Sequence, residues 1–170
     1  MILRKLTIQG FRSFTQPQCI DFEELTSGVY HVTGTNHVVP DLHSNGVGKS
    51  SLFEAVFWLL YGRTTRGVRG GNVKNWEYSG ACTVTGELTS DEGTLYVVHR
   101  SWGPNALMLG CTQAELHAVD QEKINALIKL TPEAFLASSL FAQTTPSFID
   151  LSRTDRMDIY SSVMNLDRWE

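Results

Sequence analysis

The stretch Asn45-Gly46-Val47-Gly48-Lys49-Ser50 constrains this chain more than any other part of it. It separates an apolar run, Val29 to Thr33, from a segment in which Leu52, Ala55, Val56, Leu59 and Leu60 recur at i, i+3, i+4, i+7 and i+8 and which stops at Gly62. That spacing predicts a strand, a glycine loop and a helix with one apolar face. The arrangement has a physical use. Glycines let successive backbone N–H groups curl around phosphate oxygens, the helix N-terminus adds partial positive charge, and a lysine at the helix start reaches the outer phosphates. Gly-x-Gly-Lys-Ser/Thr arises by chance in on the order of one in a hundred chains of this size, so an idle glycine turn is the weaker reading. The expected cradle is Asn45, Gly46, Val47, Gly48, Lys49, Ser50 and Ser51, with the Ser50 hydroxyl on Mg²⁺.

The loop departs from the full phosphate-binding pattern at one place. That pattern has a glycine five residues before Gly48, where this chain has His43. Gly34-Thr35-Asn36 lies further upstream, as if residues 37–44 were inserted after an ordinary Gly-x-Asn beginning. The insertion keeps the cradle and lengthens the approach to it; His37 and His43 read as solvated loop residues.

The rest of the chain surrounds this unit with other elements. Ile2, Leu6 and Ile8 predict a first strand that breaks at Gly10-Phe11-Arg12-Ser13-Phe14. Cys82 to Leu88 and Leu95 to Trp102 alternate around a polar turn and predict an antiparallel hairpin. Between helix and hairpin, residues 63–80 have no period and read as a loop, one that carries Arg63, Arg66, Arg69 and Lys74. Asp120 and Thr131-Pro132 are placed to start helices. Ser152, with Asp155 three residues on, starts a last helix striped by Met157, Tyr160 and Met164, after a break at residues 144–146. Trp58 and Tyr61 read as packing groups.

Composition bounds the partners. A chain of 170 residues that is 42% hydrophobic has material for a globular core. It contains no run of about 18 apolar residues and no signal-peptide pattern, which gives the expectation of a cytoplasmic protein without membrane contact. Its net charge of −4 makes it no general magnet for nucleic acid. Any DNA contact then needs a local patch, for which the basic loop is the candidate. Three cysteines without zinc-ligand spacing read as reduced, half-buried residues.

With these residues in view, the chain resembles the N-terminal lobe of SbcC/Rad-fifty ATPases, relatives of SMC proteins in the ABC class. The resemblance rests on Phe11-Arg12-Ser13 after the first strand, on Asn45 to Leu52, on Phe141-Ala142-Gln143, and on Met164 to Glu170. It implies an α/β fold: a P-loop NTPase lobe with a mixed sheet, an antiparallel β portion and flanking helices. Residues 1–165 would form the lobe and 166–170 would start a coiled coil. Arg12 and Ser13 would approach the phosphates of ATP. Lys49 would act in catalysis, and Gln143, in the Q-loop position but followed by Thr144 where the family has glycine, would sense Mg²⁺ and the attacking water. Implied partners are the C-terminal lobe of the same ATPase, a second head, an SbcD/Mre-eleven-type nuclease and double-stranded DNA.

Water attack on a phosphate also needs a carboxylate at the end of an apolar strand, and the sequence has no such Asp-Glu strand and no Ser-Gly-Gly signature. In the resembled family both lie in the C-terminal lobe, so this chain is expected to bind ATP better than it turns it over. Two alternatives stay open: a non-hydrolytic, ATP-gated DNA clamp, and a small P-loop nucleotide kinase. The absence of Asn-Lys-x-Asp argues against a GTPase.

Overall fold

The computed structural model describes residues 1–37, 41, 43–141 and 148–164. The chain divides into two compact units, Met1–Val119 and Asp120–Glu170.

The first unit is a sheet with one helix on it. Strands β1 (Ile2–Gln9), β2 (Gln18–Asp21), β3 (Cys82–Thr89), β4 (Leu95–Trp102), β5 (Ala106–Gly110) and β6 (His117–Ala118) pair in the order β2-β1-β3-β4-β5-β6. All of these pairings are antiparallel. The predicted β1 and the β3–β4 hairpin form as read, with Gly86 opposite Val98 and Val84 opposite Arg100. Strands β2, β5 and β6 have no counterpart in the sequence reading, because runs of two to five residues carry too few alternations to register.

The expected strand Val29–Thr33 does not form: these residues join no ladder among the described residues. Val29 is fully exposed, at 103%, and Tyr30 and Val32 face solvent. An apolar run becomes a strand only where another backbone completes its hydrogen bonds, and among the described residues none does. The parallel pairing of a mixed sheet is accordingly not formed among them.

Helix α1 (Lys49–Tyr61) follows the glycine loop and ends at Gly62, whose φ of 71° lies in the left-handed region of a C-cap. Its first turn is half-exposed, whereas Phe57 through Tyr61 are all buried. The single apolar stripe read from the sequence is therefore too narrow. The helix rests on β3 and β4, where Leu59 meets Gly86 so closely that a Cβ there would lie 2.6 Å from Leu59 Cδ2. Its other side takes Phe11, whose ring lies 5.4 Å from that of Trp58. Trp58 and Tyr61 are packing groups, as expected.

In the second unit, helices α2 (Gln121–Ile128), α3 (Pro132–Ser138) and α4 (Arg153–Met164) start at the predicted residues. Asp120 accepts from Lys123 N at 3.0 Å, Thr131 from Ala134 N at 3.1 Å, and Ser152 Oγ from Asp155 N at 3.1 Å. These caps satisfy amides that the first helical turn leaves without partners. The predicted stripe of α4 is corrected: Met157, Tyr160 and Met164 are exposed and Ile159 is buried, because the packing of α3 against α4 selects the face. The break at 144–146 and the expected coiled-coil start lie outside the described residues.

The cysteines also differ from expectation: Cys82, the first residue of β3, is fully buried, whereas Cys19 and Cys111 are exposed. Burial pushes the Cys82 thiol up to about 12, against a smaller opposing pull from Lys74. Its reactive thiolate is thus scarce at neutral pH. At pH 8 a thiol reagent should label Cys19 and Cys111 quickly and Cys82 only on unfolding, read as mass added per molecule. Three labels at one rate would contradict the packing of β3.

Candidate functional site

The glycine loop takes its shape from positive φ angles. Gly46 (77°) and Gly48 (93°) occupy the left-handed region, and so does His43 (50°). The residue standing where the sequence pattern has glycine therefore adopts a conformation that favours glycine, at a cost on the order of 1 kcal/mol. Histidine is among the residues enriched in that region.

The inserted segment is closed at its base. Asn36 N donates to His43 O at 2.8 Å, and Asn36 Nδ2 donates to Asn45 O at 3.0 Å. Gly34 lies hard against Val47: a Cβ on it would approach Val47 Cγ2 to 2.5 Å. The Gly-x-Asn beginning thus stays at the cradle despite the insertion, with Asn36 as its pin.

Helix α1 has an electrostatically open N-terminus. Its cap is Gly48, no side chain caps it, and its first turn holds no acid. No basic residue stands in its last turn, but Arg100 supplies one from β4: its Nε donates to Leu59 O at 2.9 Å, and its guanidinium carbon lies 5.9 Å from the Trp58 ring centroid. Burial lowers the Arg100 pKa to about 10, which leaves it charged at neutral pH. A cation at the C-terminal end and an uncapped N-terminal end suit an anion at the loop.

The turn after β1 completes the site. Ser13 Oγ lies 3.0 Å from Ser51 Oγ and would be 2.8 Å from a Cβ on Gly48. Arg12, with φ 48°, is fixed from both sides: its N donates to Val73 O at 2.9 Å and its O accepts from Asn75 Nδ2. Its Nε is buried with no hydrogen-bond partner among the described residues. An orphaned guanidinium donor on the residue next to Ser13, which itself touches Gly48 and Ser51, suits an anion such as a phosphate oxygen. Lys49 Nζ donates to Ser44 O, which keeps the ammonium on the loop. The predicted residues Arg12, Ser13, Asn45, Gly46, Val47, Gly48, Lys49, Ser50 and Ser51 thus fall together, whereas Gln143 lies outside the described residues.

Sequence reading missed Glu54. Buried in α1, its carboxylate accepts from Thr65 N at 2.7 Å and from Thr65 Oγ1. Thr64 N donates to Val68 O, and Thr64 Oγ1 accepts from Val68 N. The basic loop is therefore a built turn tied to α1. An acidic residue on a helix face gives no sequence signal for such a tie.

A cavity of about 440 Å³ in the second unit is lined by Leu136, Leu151 and Ile159 but also by Glu133, Asp155 and Asp158. Those carboxylates disfavour a polyphosphate there.

A family model described as an AAA domain matches residues 5–102, more than half of the chain. The chromosome partition protein Smc of Bacillus subtilis is 32% identical over 81 residues, and that of Halobacteriovorax marinus 30% over 81 residues. Each match takes in 48% of this chain and only 6% of the relative. Among solved structures, the recombination mediator protein RecF with ATP aligns at a TM-score of 0.53 and 18% identity, over 72% of this chain and 30% of RecF. A second RecF structure, whose name carries ATPrS, gives 0.52. The fold is shared with RecF.

Replacing Glu54 with Ala should lower stability by about 1–3 kcal/mol, since the Thr65 donors lose their buried acceptor. Trypsin should then cut faster after Arg63 and Arg66. An unchanged cleavage rate would show that the loop does not depend on Glu54.

Proposed function

The chain belongs to the AAA-domain family, and we propose that it is the ATP-binding lobe of an ATPase head acting in DNA repair and recombination. The observation that carries this reading is the loop itself: Gly46 and Gly48 in left-handed conformation at the uncapped start of α1, with Lys49 in its first turn and Ser13, the neighbour of Arg12, against Gly48. Backbone amides of residues 46–51 would hold the phosphates, Lys49 and Arg12 would balance their charge, and Ser13 would fix the loop's flank. Mg²⁺, held through Ser50, would neutralise developing charge on the phosphates. In a complete head, Gln143 would sense that ion and the attacking water.

The relatives named above act in chromosome partition and recombination, which supports a DNA-directed role. The narrower assignment, an SbcC/Rad-fifty-type head that regulates an SbcD/Mre-eleven-type nuclease, rests on Phe11-Arg12-Ser13 and the Asn45–Leu52 stretch. Hydrolysis would require a C-terminal lobe bearing the catalytic carboxylate, together with pairing to a second head. The exposed, ladder-free run Val29–Thr33, which leads into the loop, supports a complement supplied from elsewhere. Among the described residues no helix is long and apolar enough to cross a membrane.

Replacing Lys49 with Ala should abolish ATP binding in a calorimetric titration and leave the far-UV circular dichroism unchanged; retained affinity would overturn the phosphate-loop assignment. For the narrower assignment, the protein in complex with its complementary lobe should retain an SbcD/Mre-eleven-type nuclease in a pull-down. Failure to do so would leave an ATP-gated DNA clamp as the better description.

A further inference from the structure

Trp76 is 91% exposed, and it is exposed on a turn that is held rigidly. Its neighbour Asn75 is buried and makes several bonds: its N donates to Gly10 O at 2.8 Å, its Nδ2 donates to Arg12 O, and its Oδ1 accepts from Glu77 N at 2.9 Å. On the other side Tyr78 lies against Gly10, where a Cβ would come within 2.4 Å of its ring. The segment is pinned at both flanks while its largest apolar group is left in water. Burying an indole is strongly stabilising, so folding alone gives no reason for this placement.

The same bonds locate Trp76 relative to the glycine loop. Asn75 holds the carbonyl of Arg12, the next residue, Ser13, touches Gly48 and Ser51, and Arg12 carries the orphaned Nε. Trp76 is therefore one residue from the strut that fixes the flank of the cradle. The chain before it is mostly basic: Arg63, Arg66, Arg69 and Lys74 precede Trp76, and the acids nearest in sequence are Glu54, whose carboxylate accepts from Thr65, and the exposed Glu77. We propose that Trp76 is the stacking platform for the base of the nucleotide whose phosphates the loop holds. This rests on the nucleotide-binding reading and adds to it a residue that recognises the base.

The test uses the full chain, with ATP and inorganic tripolyphosphate as probes. Stacking on an aromatic ring is worth enough per base that Trp76→Ala should weaken ATP about five- to a hundredfold. Tripolyphosphate, which has no base, should bind the variant as it binds the wild type, and Trp76→Phe should restore most of the ATP affinity. Because the ring is exposed, both variants should melt at the wild-type temperature. Unchanged ATP affinity in Trp76→Ala overturns the platform and leaves the cradle standing. An equal loss for both probes overturns it too, showing that Trp76 only supports the loop. If Trp76→Ala weakens a single-stranded oligonucleotide but not ATP, the platform is overturned in favour of a nucleic-acid surface. A wild-type chain that binds neither probe overturns the nucleotide reading and the platform with it.

Discussion

The packing of the second half of helix α1 is the constraint on which the rest of this structure depends. Leu59 against Gly86, Trp58 against Phe11, and Arg100 on the Leu59 carbonyl fix that half of the helix between the sheet and the turn after β1. A helix is stiff over its 13 residues, so fixing its buried end also fixes where its first turn points. The open N-terminus of α1 and the glycine loop before it are thereby held by contacts at the far end. Core and site are two ends of one rod, and a core substitution would disturb both.

The loop itself is held by polar contacts. Asn36 closes the insertion onto His43 and Asn45, Ser13 sits over Gly48, and Asn75 secures Arg12. Each contact ties a backbone group that a binding loop would otherwise leave to fluctuate. Backbone conformations of positive φ at Arg12, His43, Gly46 and Gly48 cluster here. Strain of that kind persists only where surrounding bonds over-determine it, and the bonds made by Asn36 and Asn75 do so here. The result is a loop whose backbone is held in one shape by its own contacts.

Glu54 extends this logic away from the loop. By accepting from Thr65 it joins α1 to the turn that carries Arg63 and Arg66. A displacement of α1 would be felt by that turn directly, through a buried carboxylate.

The sequence by itself determined the local elements whose causes lie within a few residues of each other. The glycine loop, the limits of α1, the β3–β4 hairpin and the caps Asp120, Thr131 and Ser152 were all legible, because left-handed glycines, alternation and side-chain caps act over short spans of chain. The grouping of residues 45–51 was legible for the same reason, while Arg12 and Ser13 were found through resemblance. Tertiary structure decided what depends on distant partners. Val29–Thr33 reads as a strand yet joins no ladder, since a strand exists only with a neighbour. Met157 and Tyr160 read as a buried stripe yet face water, since α3 selects which face of α4 it covers. Short strands β2, β5 and β6 are fixed by the edges they extend. The roles of Asn36, Glu54, Asn75 and Arg100 were invisible for one physical reason: each is a polar group whose partner is a backbone atom brought near only by folding, and backbone atoms leave no trace in the order of side chains.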